Sequence, residues 1–235
     1  MNTVLVALSH PDDEMGCAGT IAAHTAAGDR VVLLWLTRGE MSGAYPELEP
    51  EEVAERRMAT GRDAASILGA EPRFLEMPDT RVHATPDAAR EVADVVADVK
   101  PDAVVTWGDA WTRGMRHPDH QATGQIVRDA ITLARIGRVM APMPPHREPV
   151  PVFTLRGEHS TLPTRAVDVG EHVETILELA AFYRAEVGWP KEGFIENRLR
   201  RAAEEYGVDA VELFDAWETP QSTRQSTRTT FHLLG

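Results

Sequence analysis

The sequence predicts an α/β protein, with a mostly parallel sheet flanked by helices and a small carboxyl-terminal lobe. Short apolar segments rich in valine and leucine alternate along the chain with longer amphipathic or alanine-rich segments. Several of the longer segments end at a glycine or begin after a capping residue, as helices do. Because parallel strands need crossover connections, which are usually helices, this alternation indicates a mostly parallel sheet.

Four strands and four helices are predicted in the first part of the chain. The strand segments are residues 3–8, 30–36, 73–75 and 102–107. The helical segments are residues 15–27, 51–68, 85–99 and 120–134. Gly28 and Gly69 would end the first two helices, and Thr85 with Pro86 would begin the third.

The last part of the chain has a weaker pattern. Residues 141–151 are rich in proline, which removes backbone donors and fixes φ, so we expect an irregular loop there. Further elements are predicted as a strand at 152–155, helices at 170–186 and 191–206, and an edge element at 231–234. We therefore divide the chain into a catalytic core carrying a metal site, residues 1–140, and residues 141–235, which complete the same domain.

Composition and length disfavour several classes of protein. The formal net charge of -13 argues against binding to a nucleic-acid backbone, which needs clustered Lys and Arg. Cys17 is the only cysteine, so neither an intramolecular disulfide nor a Cys-based zinc site can form. The most apolar segment, residues 31–36, is too short to span a membrane, and we expect no leader peptide. We therefore expect a cytoplasmic protein without nucleic-acid or membrane partners; a homo-oligomer is compatible with the sequence.

Two segments rich in His and Asp each follow a predicted strand. Residues 10–14 read HPDDE directly after the first strand, and residues 117–120 read HPDH at the start of a helix. Ligands bind at the carboxyl ends of the strands in open α/β sheets, so we expect both segments in one crevice. An aspartate before a helix is often only a cap, and a single histidine is often only a surface residue. Capping does not need paired imidazoles, so the combination favours a metal site.

Two imidazoles and one carboxylate leave a coordination position open, as in catalytic rather than structural zinc sites. Fe²⁺ or another divalent metal ion suits the same ligands. The remaining carboxylate and histidine would supply a base and an oxyanion donor for amide hydrolysis. Spacing alone does not decide which aspartate is the ligand and which is the base.

These segments resemble the PIG-L/LmbE family of zinc-dependent N-acetylglucosaminyl de-N-acetylases. The resemblance rests on HPDDE at 10–14, TRGE at 37–40, HPDH at 117–120 and the alanine-rich helix ending at 67–69. It implies a Rossmann-like fold. It also implies hydrolysis of N-acetyl groups on compounds that contain N-acetylglucosamine.

The resemblance further implies which residues hold the metal. His10, Asp13 and His120 would be the zinc ligands. Asp12 would be the general base that activates water. Spacing does not show which aspartate binds the metal and which is the base, so this assignment rests on the resemblance alone.

The second segment would act on the reacting amide. The resemblance implies that a protonated His117 stabilises the oxyanion and that Asp119 orients this histidine. Some family members carry a tyrosine two residues before the histidine, where it assists the transition state. Met115 stands at that position here, so the assisting group is left open.

Two more residues would contact the sugar. The resemblance implies this role for Arg38 and for Asp79. Each also has a structural alternative. Arg38 could instead pair with Glu40 or with a helix carboxylate, and Asp79 could belong to an ordinary turn with Thr80.

The sequence therefore predicts an enzyme, a metal-dependent N-deacetylase. It would hydrolyse the N-acetyl amide of a small molecule containing N-acetylglucosamine, giving the free amine and acetate with Zn²⁺ as cofactor. One alternative is an amidase with the same metal site that acts on a thiol-sugar conjugate or another N-acyl small molecule. Another is a non-catalytic metal-binding or sugar-binding protein. The sequence does not identify the aglycone, the acyl chain, the native metal or the oligomeric state.

Overall fold

The computed structural model describes residues 1–108, 117–157, 159–218 and 234. Met115 and most of the predicted edge element, residues 231–233, lie outside the described residues. The strands are β1 (Thr3–Leu8), β2 (Arg30–Trp35), β3 (Glu71–Phe74), β4 (Ala103–Thr106), β5 (Val152–Leu155), β6 (Thr164–Asp168) and β7 (Val211–Glu218).

Within the described residues the strands form one seven-stranded sheet in the order β3-β2-β1-β4-β5-β7-β6. The first five strands of this order are parallel, and β7 runs antiparallel to both β5 and β6. The predicted mostly parallel sheet is therefore confirmed, and the later part of the chain extends it. Because β1 and β4 are neighbours, the two segments that follow them lie at the same edge of the sheet.

Helices cover both faces of the sheet. They are α1 (Ala18–Ala26), α2 (Pro50–Ile67), α3 (Pro86–Val99), α4 (Pro118–Ala134), α5 (Gly137–Met140), α6 (Val173–Val187) and α7 (Phe194–Ala203). One apolar core lies under α1, α2, α6 and α7, and a second lies under α3, α4 and α5. In the described part of the chain, none of the helices has the length and apolar character needed to cross a membrane.

Strand β1 is buried on both faces, which explains its uninterrupted apolar sequence. Val4, Val6 and Leu8 pack into the first core, whereas Leu5 and Ala7 pack into the second. Side chains alternate across a strand, so both cores stabilise β1 at once. The segment that follows β1 is thus attached to a strand anchored in both cores.

The local signals for helix starts are realised in the structure. Thr85 caps α3 by accepting a hydrogen bond from the backbone N–H of Ala88, with Pro86 in the first turn. Glu49 and Glu52 form a reciprocal capping box at the start of α2. The proline-rich residues 141–151 form no regular element, as predicted.

Strands β6 and β7 were not predicted individually. In β7 the carboxylates of Glu212 and Asp215 are buried beside apolar residues, so the strand shows neither an apolar run nor clean alternation. Arg165 interrupts β6 in the same way. Strand β7 is relevant to the candidate site because Val211, Glu212 and Leu213 line the cavity described below.

Candidate metal centre and active site

The two segments rich in His and Asp meet at the carboxyl ends of β1 and β4. His10 follows β1 by two residues, and His117 caps the first turn of α4. The ring centroids of His10 and His117 are 4.7 Å apart, and those of His10 and His120 are 5.4 Å apart. The structure therefore brings together residues that are more than a hundred positions apart in the sequence.

Three carboxylates surround the imidazole of His10. Its Nε2 lies 3.1 Å from Asp79 Oδ1 and 3.2 Å from Asp119 Oδ2, and its Nδ1 lies 3.6 Å from Asp13 Oδ2. Burial alone would lower the pKa of His10, but the contacts with the carboxylates of Asp119, Asp13 and Asp79 outweigh it and raise the pKa to about 12. The cluster is thus strongly attractive to a positive charge at this point.

Asp13 links the two segments. Its Oδ1 lies 3.2 Å from His120 Nε2. Its Oδ2 accepts hydrogen bonds from the backbone N–H groups of Ser9 and His10, at 3.0 Å each, and from the Trp107 indole at 3.2 Å. Burial raises the pKa of Asp13, but the charge of His120 and the contacts with His10 hold it well below its usual range. Asp13 is therefore an ionised carboxylate fixed between two histidines.

Among the described residues, two overlapping groups offer ligand atoms within 4.8 Å of one another. The first group is His10, His117 and His120, and the second is His10, Asp79, His117 and Asp119. Imidazole and carboxylate donors suit zinc and other divalent transition metals. The sequence-predicted ligand set shares His10 and His120 with the first group, and Asp13 contacts both. The residues present therefore fit a metal ion, and the identity of its ligands stays a prediction.

Asp12, the predicted base, is held by an arginine from α2. Arg57 Nη2 lies 2.8 Å from Asp12 Oδ2 and also donates to the Pro11 carbonyl. Asp12 has a φ of 117°, a backbone conformation that is strained for a residue other than glycine. Burial raises the pKa of Asp12, and the charge of Arg57 opposes this shift. The Arg57 contacts thus stabilise both the conformation and the charge of the predicted base.

Arg57 was missed by sequence reasoning. Its side chain is only 3% exposed and lines the cavity, and its Nε and Nη1 have no acceptor among the described residues. A signal was present in the helical pattern. Arg57 lies four residues after Val53 and three before Thr60, both buried, so the periodicity of α2 points it inward.

Glu14, the last residue of the first segment, is fully buried behind Asp12. It accepts hydrogen bonds from the Trp35 indole at 3.1 Å, from the Tyr183 hydroxyl and from the backbone N–H of Asp12 at 3.0 Å. Burial raises the pKa of Glu14 to about 7, although the Tyr183 hydrogen bond acts in the opposite direction. Glu14 therefore fixes the strained backbone of Asp12 from the protein interior.

Asp119 is fully buried, and its carboxylate lies closer to His10 than to His117. The Oδ2 atom is 3.2 Å from His10 Nε2 but 3.9 Å from His117 Nδ1. The backbone N–H of Asp119 donates to His117 Nδ1 at 3.3 Å. Burial and the charge of His10 lower the pKa of His117. With Nδ1 accepting, the neutral tautomer of His117 carries its proton on Nε2 and remains a hydrogen-bond donor there.

The two predicted sugar contacts occupy different places. Asp79 lines the cavity, accepts a hydrogen bond from the backbone N–H of Met41 at 3.0 Å and contacts His10. Arg38 does not belong to the cavity lining. Its guanidinium makes two hydrogen bonds to Glu51, at 2.6 and 2.9 Å, which is the pairing with a helix carboxylate considered from the sequence.

One cavity of about 800 Å³ contains the candidate site. Its lining includes residues of the two segments: His10, Asp12, Asp13, His117 and His120. Five apolar side chains from later elements, here named the distal wall, line the same cavity: Leu155, Trp189, Phe194, Val211 and Leu213. The cavity thus connects the candidate metal centre with a largely apolar surface.

The fold and the site define an α/β protein with a candidate metal centre at the carboxyl ends of its central parallel strands. The model of the PIG-L family, described as GlcNAc-PI de-N-acetylase, matches residues 5–131. The chain belongs to this family. The resemblance found in the sequence is thereby confirmed.

Similar proteins share parts of the chain or its fold. The diacetylchitobiose deacetylase of Thermococcus kodakarensis is 34% identical over 133 residues, 56% of this chain and 49% of the relative. The 1D-myo-inositol 2-acetamido-2-deoxy-α-D-glucopyranoside deacetylase of Kineococcus radiotolerans is 32% identical over 164 residues, 56% of this chain and 45% of the relative. The chain thus spans about half the length of these curated relatives. The crystal structure of the conserved protein TT1542 from Thermus thermophilus has a TM-score of 0.79 at 27% identity, covering 94% of this chain and 100% of that chain.

Proposed function

We propose that this protein is a zinc-dependent hydrolase that removes the acetyl group from the nitrogen of a small molecule containing N-acetylglucosamine. The observation that carries the proposal is the meeting of three histidines and the Asp12 and Asp13 carboxylates in one cavity. Two similar proteins are named as deacetylases of different acetamido sugars. Their named substrates share the acetamido sugar and differ in what it is attached to, so we assign this shared part to the present site.

His10, Asp13 and His120 are the proposed zinc ligands. A divalent metal ion bound there would polarise the amide carbonyl and lower the pKa of water. The carboxylates around His10 support this assignment, because they offer negative charge that a cation would neutralise. Fe²⁺ suits the same donors, and metal analysis distinguishes the two ions.

Asp12 is the proposed general base. It would accept a proton from water as the water oxygen attacks the amide carbonyl carbon, and it would return the proton to nitrogen as the C–N bond breaks. The products are the free amine and acetate. Arg57 and the buried Glu14 support this role because they hold the carboxylate and the backbone of Asp12 in one conformation.

His117 is the proposed donor to the oxyanion. Its Nδ1 is occupied by the backbone N–H of Asp119, which leaves Nε2–H available as a donor. Asp119 would fix the orientation of both His117 and His10. Asp79 faces the cavity beside His10 and is the proposed contact to a sugar hydroxyl. A sugar contact by Arg38 would require release of its guanidinium from Glu51.

The test is the release of amine and acetate from a small panel, with equal concentrations of zinc-loaded protein. The panel contains N-acetylglucosamine, N,N'-diacetylchitobiose, 1D-myo-inositol 2-acetamido-2-deoxy-α-D-glucopyranoside and, as a control without a sugar, an N-acetyl amino acid. We expect equal amounts of amine and acetate from at least one sugar and none from the control. Hydrolysis of the N-acetyl amino acid alone, or no hydrolysis of any acetamido sugar, would contradict the proposal.

A further inference from the structure

The distal wall of the cavity is built from elements that supply none of the proposed catalytic residues. Leu155 ends β5, Trp189 lies between α6 and α7, Phe194 begins α7, and Val211 and Leu213 lie on β7. Trp189 and Phe194 are 39% and 50% exposed, and because they lie next to each other they form a contiguous apolar surface. Their ring centroids are 6.3 Å apart with an interplanar angle of 56°, so they form an open wedge.

The charged groups beside the distal wall already have partners inside the protein. Arg156 pairs with Asp215 and donates to the Leu162 carbonyl. Arg198, one turn after Phe194, donates to the Met15 carbonyl at 2.7 Å. The guanidinium of Arg156 is thus paired with a carboxylate, that of Arg198 is held by a backbone carbonyl, and the apolar side chains of the distal wall lie beside both.

Glu212 is committed in the same way. Its two carboxylate oxygens accept the backbone N–H groups of Gly19 and Thr20, at 2.9 and 2.8 Å, at the start of α1. A carboxylate at a helix amino terminus is stabilised there by the helix dipole. Glu212 thus lines the cavity without needing a polar ligand group.

The volume of the cavity also exceeds what one acetamido sugar needs. Pockets of roughly 300 to 1,000 Å³ bury ligands of drug size, and this cavity of about 800 Å³ lies in the upper part of that range. A single acetamido sugar at the candidate metal centre is smaller than a ligand of that size, so part of the cavity would stay open to water. An apolar group attached to the sugar would fill it and remove apolar surface from water.

We infer that the distal wall is a subsite for an apolar substituent of the substrate, at least as large as an aromatic ring. The inference rests on the proposed function, since it takes the acetamido group to lie at the candidate metal centre. An aromatic aglycone and an aromatic N-acyl group present the same chemistry to the wedge. A buried aromatic contact of this kind corresponds to roughly a tenfold gain in affinity.

The test compares three substrates with the zinc-loaded protein. They are the methyl glycoside of N-acetylglucosamine, its benzyl glycoside, and the methyl glycoside with phenylacetyl in place of acetyl. We expect kcat/KM to be about tenfold higher for one of the two aromatic compounds than for the methyl glycoside. If it is the benzyl glycoside, the apolar group is the aglycone; if it is the phenylacetyl compound, the apolar group is the acyl group. Calorimetric titration of each compound gives the Kd separately from turnover.

Variants of the wedge locate the effect. Trp189→Ala and Phe194→Ala change exposed side chains, and we expect each to bring the ratio of aromatic to methyl substrate toward one. Ile136→Ala removes another exposed apolar side chain, 43% exposed and outside the cavity, and is expected to leave this ratio unchanged. Circular dichroism verifies that each variant is folded.

The outcomes separate the inference from the proposed function. Equal kcat/KM and equal Kd for all three compounds, with amine released from each, would overturn the inference and leave the deacetylase intact. Absence of turnover on every compound would contradict the deacetylase. In that case the ratio of the Kd of the methyl compound to that of the aromatic compound still tests the apolar subsite. The ratio should exceed one in wild type and fall toward one in Phe194→Ala.

Discussion

Arg57 and Asp12 form a partly buried ion pair in which Nη2 and Oδ2 are 2.8 Å apart. The pair joins α2 to the loop after β1, and the same guanidinium also binds the Pro11 carbonyl. Asp12 keeps its strained backbone conformation because Arg57 binds its carboxylate and Glu14 accepts a hydrogen bond from its backbone N–H. Asp12, the predicted base, is therefore held through its carboxylate by Arg57 and through its backbone N–H by Glu14.

Replacing Arg57 tests this positioning. In Arg57→Met we expect kcat to fall about 10- to 100-fold with little change in KM, because displacing a catalytic group by about 1 Å costs on the order of 10²-fold. Arg57→Lys keeps the charge and should retain more activity. Arg56→Met, next to it but on the exposed face, serves as the control. Steady-state kinetics of the four proteins make the comparison, and wild-type kcat in Arg57→Met would refute the positioning role.

Asp12→Asn separates the base from the metal ligands. The amide cannot accept the proton, so kcat should fall by about 10²- to 10⁴-fold while bound zinc stays near the wild-type level. Zinc is measured by atomic emission on the same samples used for kinetics. Asp63→Asn, an exposed change on α2, controls for loss of a carboxylate. Loss of zinc together with activity in Asp12→Asn would mean that Asp12 is itself a ligand.

Tyr183→Phe tests the buried contacts of Glu14. The change removes the hydroxyl that donates to Glu14 and leaves a buried carboxylate oxygen without that partner. We expect the free energy of unfolding to fall by about 1 to 3 kcal/mol, the typical cost of an unsatisfied buried acceptor. Urea denaturation followed by fluorescence measures it. A stability equal to that of wild type would show that the hydroxyl does not support the site.

Gly124 sets the distance between α4 and the end of β4. A Cβ at this position would overlap the Trp107 carbonyl, and the Trp107 ring stacks on His120 with centroids 3.9 Å apart. We expect Gly124→Ala to lower the free energy of unfolding by about 1 to 3 kcal/mol and to weaken zinc binding. The added methyl group would meet the Trp107 backbone, which cannot easily move away. Gly43→Ala adds a methyl in open space and should have neither effect. Thermal unfolding and zinc titration of both variants provide the check.

The sequence allowed the central part of the fold to be predicted because local and tertiary signals agree there. The apolar run of β1 matches burial on both faces, and Thr85 with Pro86 begins α3 as expected. The meeting of His10 with His117 could also be predicted, since both follow strands of a parallel sheet. These inferences depend on short-range patterns and on one general property of α/β sheets.

The remaining parts depend on tertiary contacts that leave a weaker trace. The buried carboxylates of Glu212 and Asp215 interrupt the apolar pattern by which β7 could be predicted. Their partners, the amino terminus of α1 and Arg156, are distant in sequence. Arg57 resembles an exposed helix arginine in the sequence, and only its spacing from Val53 and Thr60 indicates that it faces inward. For Arg38 the sequence motif suggests a sugar contact, but in the structure its guanidinium makes two hydrogen bonds to Glu51.

The measurement that tests the central claim most directly is metal content combined with activity in a single preparation. Zinc and iron are quantified in the purified protein, the metal is removed with a chelator, and acetate release from N,N'-diacetylchitobiose is followed before and after zinc is restored. We predict about one zinc ion per chain, loss of acetate release on chelation and recovery with zinc. Failure to bind any metal after zinc is added back, or acetate release that chelation leaves unchanged, would contradict the account.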